Sequence, residues 1–88
     1  MKKIRFRRRI YNFIITDHAK VRMKMRGINE FALREVIEMG VFKLKARKNK
    51  FWVFKEIENR KDNLICASIS VEPPNLIVIT TLINWRPK

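Results

Sequence analysis

Residues 3–7 alternate basic and apolar side chains, the period-two signature of a strand with one wet, cationic face. The run Arg7-Arg8-Arg9 breaks that alternation, and residues 10–15 resume it in more apolar form. Thr16 and Asp17 are good helix N-caps, nothing interrupts a helix as far as Arg26, and Gly27 suits the left-handed position just past its end. Asn29 is placed to cap a second helix running to about Met39 and closed by Gly40. From there the texture is β. Residues 41–47 put Val41, Lys43, Lys45 and Arg47 on one face and Phe42, Leu44 and Ala46 on the other. Residues 51–58, 63–72 and 75–85 read as three further strands separated by Asn- and Pro-containing turns. Residues 76–83 are apolar on both faces, which predicts the central, doubly covered strand.

This order predicts an α+β fold: two N-terminal helices packed on a four-stranded, mostly antiparallel sheet, with an extra N-terminal strand as an option. Residues 1–88 read as a single domain, with 1–15 a basic extension or strand, 16–40 a helical hairpin and 41–86 the sheet. At 88 residues a chain has enough length for one modest core.

Charge changes the picture. Lys and Arg number 21 against 8 Asp and Glu, a formal net charge of +13 at pH 7. Such self-repulsion opposes compaction and points to a polyanion or an acidic protein as partner. Nucleic acid leads, because each neutralised phosphate releases counterions. At 47% hydrophobic residues the chain is no disordered basic tail. No apolar run is long enough to span a membrane, and the segment after the basic N-terminus lacks a small-residue cleavage site. A single cysteine, Cys66, forms no internal disulfide and fits a reducing compartment. A cytoplasmic location follows as an expectation.

The first helix holds the most informative pattern. At about 100° per residue, Lys20 and Lys24 share a solvated side with Asp17. Val21 and Met25 on one flank, and Ala19 and Met23 on the other, enclose a row of His18, Arg22 and Arg26 at i, i+4 and i+8. This row is expected to face the sheet. Charges there are costly unless paired or set in a ligand-holding cleft. One option pairs Arg22 or Arg26 with Glu35, Glu38, Glu56 or Glu58 and makes His18 a buried cap. The other makes the row an anion pocket, with two guanidinium forks for phosphate oxygens and a titratable group at one end.

The strands supply a second constellation. Residues two apart on a strand point the same way about 6.6 Å apart, near the spacing of phosphates along an extended single strand. Lys43, Lys45 and Arg47 are thus placed to follow a backbone, with Arg5 and Arg7 as a second rail. Trp52, Phe54 and Trp85 are candidate stacking platforms, Trp85 foremost because it adjoins Arg86 at a strand end. No cofactor is expected. One His and one Cys do not make a zinc site, no acidic pair suits two metal ions, and neither a P-loop nor a dinucleotide fingerprint is present.

The segment His18-Ala19-Lys20-Val21-Arg22-Met23-Lys24-Met25-Arg26-Gly27-Ile28 resembles the His-Ala-x-x-Arg-Met-x-x-Arg-Gly-Ile signature of the small family designated domain of unknown function 4258. The similarity extends by pattern through the second helix to a strand containing Ile79-Thr80-Thr81, and the basic segment 2–9 lies outside it. That family is similar to the barnase/RelE-like ribonucleases, which place two helices before a four-stranded antiparallel sheet. The resemblance implies a toxin of a toxin–antitoxin pair, acting as a metal-independent endoribonuclease in which the 2′-hydroxyl attacks the adjacent phosphate. RNA, including ribosome-bound mRNA, and an acidic antitoxin are the partners it implies. His18, Arg22 and Arg26 match the motif; Lys45, Arg47 and Thr80 are added on geometry alone.

On that reading His18 is general acid or base, Arg22 and Arg26 hold the scissile phosphate, and Lys43, Lys45 and Arg47 position the flanking chain. Two rivals use the same residues: a non-catalytic RNA- or DNA-binding module, and a basic interaction protein covered by an acidic partner.

Overall fold

The computed structural model describes residues 2–45, 49–56 and 64–83. Among these, the elements follow one another as β1 (Lys3–Phe6), β2 (Arg9–Ile15), α1 (Asp17–Arg26), α2 (Glu30–Met39), β3 (Val41–Leu44), β4 (Lys50–Glu56), β5 (Leu64–Glu72) and β6 (Asn75–Ile83). All the strands join one sheet in the order β1-β2-β6-β5-β4-β3. Neighbours are antiparallel except β2 and β6, which run parallel with Asn12 opposite Asn75 and Ile15 opposite Val78.

This corrects the expected RelE-like arrangement of two helices on a four-stranded, mostly antiparallel sheet. The sheet has six strands and is mixed. The difference begins at Arg7 and Arg8, whose φ angles of 51° and 69° turn the N-terminal segment back on itself as a two-residue hairpin. Two strands therefore stand where one was expected. β2 then places Phe13 beside Leu76 and Ile15 beside Val78, so its apolar side chains extend the inner face of β6.

The helices form where their caps predict. Thr16 accepts from the Ala19 N–H and Gly27 closes α1 at φ 64°; Asn29 accepts from the Ala32 N–H to start α2. Both helices pack on one face of the sheet. Their buried Ala19, Met23, Leu33, Val36 and Ile37 meet Phe13, Val53, Ala67, Ile69, Leu76 and Val78 in one core. The sheet curls around this core into a half-barrel, and Phe6 of β1 makes edge-to-face contacts with Phe42 of β3 at 5.5 Å and Phe51 of β4 at 5.4 Å.

The doubly covered strand is β5 rather than β6. Every residue from Ile65 to Ser70 is buried, whereas burial along β6 is confined to Leu76, Val78 and Thr81. Cys66, Ser68 and Ser70 alternate with Ile65, Ala67 and Ile69, so small polar side chains occupy the face turned away from the helices. A register shift between Ser68 and Ile69 keeps Thr81 with Ala67 on the helix side and Thr80 with Ser68 on the other. Among the described residues no helix is long and apolar enough to cross a membrane.

Candidate nucleic-acid interface

β2 accompanies β6 only as far as Val78; beyond it, α1 runs along the exposed margin of β6. Thr16 marks the handover, its Oγ1 donating to the Val78 carbonyl at 3.0 Å while its N–H reaches the same oxygen. Arg26 closes the other end, Nη1 donating to the Thr81 carbonyl at 3.0 Å.

The row His18, Arg22 and Arg26 therefore does not lie against the core as expected. Ala19 and Met23 take that position, while Arg22 and Arg26 are half-buried and His18 is exposed. A row at i, i+4 and i+8 turns about 40° at each step, so it climbs from the sheet at Arg26 to solvent at His18. Val21 and Met25, expected to flank the core, are instead 57% and 69% exposed. Among the described residues no salt bridge pairs a glutamate with Arg22. Glu35 pairs with Lys55, Glu38 accepts from the Arg5 N–H, and Glu58 lies outside the described residues. His18 is not a buried cap, because Thr16 fills that role.

The helix-free face gathers the other expected residues more closely. Across β3, β4, β5 and β6 the register aligns Lys43, Trp52, Ser68 and Thr80 in one cross-strand row. At about 4.8 Å per strand this row is about 14 Å long. Lys45, just past β3, folds back over it: its Nζ lies 4.2 Å from the centre of the Trp52 ring and donates to Ser68 Oγ at 3.0 Å. Among the described residues it has no carboxylate partner. Two residues further along the ladder, Lys50 donates to Ser70 Oγ at 2.9 Å, and Ser70 passes the bond to Glu72 Oε2 at 2.6 Å. Glu72 thus balances Lys50, and among the described residues nothing comparable balances Lys45.

Beside them lies Cys66. Burial pushes its thiol up to about 12, against the opposing pull of the Lys45 charge. It is therefore a neutral, packed side chain and no nucleophile.

The remaining expected residues are dispersed. Arg5 is exposed at one edge of the sheet, on β1. Arg7 lies against the aromatic cluster, its guanidinium 4.9 Å from the Phe42 ring centre and 5.5 Å from that of Phe51, so it shares no rail with Arg5. Arg47 and Trp85 fall outside the described residues. Thr80 faces away from the helices while Arg26 reaches the neighbouring Thr81 carbonyl, so the expected catalytic group of His18, Arg22, Arg26 and Thr80 is spread from α1 around the margin of β6. Ser68, Ser70 and Lys50 join the site unforeseen. Their signal in the sequence is the Cys-x-Ser-x-Ser alternation within an otherwise apolar strand.

The arrangement suits a phosphate and a base: an ammonium with no carboxylate partner among the described residues, held over an indole on a rigid sheet. Compared with known proteins, the chain matches no family model, no curated protein and no solved structure.

Proposed function

We propose that this protein binds single-stranded RNA along the helix-free face of its sheet. The observation that carries this reading is Lys45, whose half-buried ammonium rests on Trp52 and Ser68 with no carboxylate among the described residues to neutralise it. A phosphate supplies that charge, and as the ammonium turns to it an unpaired base takes the indole face that Lys45 covers. The net charge of +13 and the row from Lys43 to Thr80 support the same reading. Unpaired strands are favoured over duplex because stacking needs splayed bases. Fluorescence anisotropy with single-stranded RNA and its duplex tests this: the single strand binds more tightly, and Trp52→Ala weakens it. Equal affinity for both forms, unaffected by that substitution, overturns the reading.

A second reading, metal-independent RNA cleavage of the toxin type, is favoured by one further observation. His18 and Arg22 stand at the open end of the α1 row with no salt bridge among the described residues. RNA lying over Thr80 and around the β6 margin would bring a phosphate towards Arg22, with His18 to move the proton of the attacking 2′-hydroxyl. The likeness of residues 18–28 to the motif described above supports it. Digestion of RNA in chelator tests it: products ending in a cyclic phosphate, lost on His18→Ala, support cleavage. Binding without turnover leaves the protein a non-catalytic module.

A further inference from the structure

The two edges of the sheet are treated differently. On β1 the outward backbone groups are covered by α2: the Arg5 N–H donates to Glu38 Oε2 at 3.1 Å, and the Lys3 carbonyl accepts from Arg34 Nη1 at 2.7 Å. Arg34 is itself held by Glu30 and lies 4.9 Å from the Phe13 ring centre. An incoming strand meets a donor and an acceptor already engaged there.

Among the described residues β3 has no such cover. Lys45 N–H donates to the Lys50 carbonyl at 2.9 Å, which makes those two a hydrogen-bonded pair. Such pairs alternate along an antiparallel ladder, so Lys43 and Val41 bond inward to Trp52 and Phe54. The N–H and C=O groups of Phe42 and Leu44 then point out of the sheet, and among the described residues no strand lies beyond them. The strand is apolar as well as open: Val41 is 61%, Phe42 45% and Leu44 54% exposed, and Met39 just before it is 73% exposed. Soluble proteins normally blunt such an edge. This one is blunted at β1 and left available at β3.

We propose that the outer edge of β3 receives an extended segment of an acidic partner protein as a seventh strand. On the helix side its apolar side chains extend the cluster of Phe42, Phe6 and Phe51. On the other face its acidic side chains lie beside Lys43, next to the Lys45 ammonium. The charge of +13 selects this occupant over a second copy of the chain, which would bring another +13 to the same edge. The inference rests on the β3 edge and the charge around it and stands whether or not RNA binds the neighbouring face.

The test uses the intact protein and a peptide of about eight residues, the length of an ordinary strand, in which valine alternates with glutamate. Calorimetry reads binding, and amide hydrogen exchange reads its place. The peptide binds, and the Phe42 and Leu44 amides become protected. N-methylation of the peptide backbone on its hydrogen-bonding side weakens binding at least tenfold or so, the scale of two or more lost hydrogen bonds. A valine–lysine peptide fails to bind. Four results each overturn the proposal: no binding of the valine–glutamate peptide, equal binding of its N-methylated form, protection confined to other elements, or self-association through β3 that the peptide does not compete.

Discussion

Lys45 holds its ammonium 4.2 Å from the centre of the Trp52 ring. A cation over an indole face contributes about 0.5–2 kcal/mol depending on solvation, enough to keep the ring fixed against the sheet. The pair is useful because of what it lacks. Lys50 is balanced through Ser70 by Glu72, while Lys45 has only a hydroxyl and a π-face among the described residues. On the proposed reading the ammonium turns from the ring to a phosphate and leaves the indole face to a base.

Trp52→Ala removes the stacking surface and loosens Lys45 together. Loss of one stacked base costs about 1–3 kcal/mol, so single-stranded RNA binds about 5- to 150-fold more weakly. Lys45→Ala acts differently, flattening the slope of log affinity against log salt by about 0.7. Anisotropy titrations at several salt concentrations separate the two effects.

The rotation of α1 is open to a comparison of two methionines. Met23 is 7% exposed and Met25 69% exposed. Met23→Ala leaves a cavity and costs about 2–5 kcal/mol, whereas Met25→Ala changes stability by less than about 0.5 kcal/mol. Urea unfolding of both variants measures this. A reversed order would place the His18, Arg22 and Arg26 row against the core after all.

Gly40 joins α2 to β3 where the chain passes close over β4. A Cβ there would clash with the Val36 carbonyl oxygen and stand 2.6 Å from that of Phe54. Both obstacles are backbone, so Gly40→Ala must displace either the helix end or the strand and lowers the melting temperature sharply. Gly27 has φ 64° and open space around it, so Gly27→Ala costs only the left-handed penalty of about 1–2 kcal/mol. Thermal unfolding of the two variants checks the order.

Cys66 gives a pH dependence whose sign follows from burial. Its thiol titrates at about 12 in the folded protein, above the ordinary value of 9.0. The folded chain therefore keeps a proton that the unfolded chain releases in that interval, and stability falls as pH rises from about 9 to about 12. Cys66→Ala removes that part of the alkaline loss. In native protein at neutral pH the thiol resists alkylation, and it reacts once the chain is unfolded, as thiol labelling with and without denaturant reports.

The two helices were legible because their stop signals are local: Thr16, Gly27, Asn29 and Gly40 act on their immediate neighbours. The hairpin of β1 and β2 was hidden because Arg7 and Arg8 hold the positive φ angles that glycine or asparagine would have announced. The parallel pairing of β2 with β6 joins segments distant in the chain, and no local pattern encodes it. In α1, Val21 and Met25 on one side and Ala19 and Met23 on the other gave two apolar arcs, and only packing against β6 decided between them. The site was legible in part. Lys43, Lys45 and Thr80 were visible as candidates, but their meeting through Trp52 and Ser68 depends on strand order.

Backbone amide chemical-shift mapping with an oligouridylate of about ten nucleotides, within the usual span of one binding surface, tests the central claim most directly. The account requires the largest changes at Lys43, Lys45, Trp52, Ser68 and Thr80, with smaller ones at Arg26 and Arg22 where the track rounds the margin of β6. Changes confined to the Arg7-Arg8 hairpin or to α2, with the helix-free face silent, would contradict it.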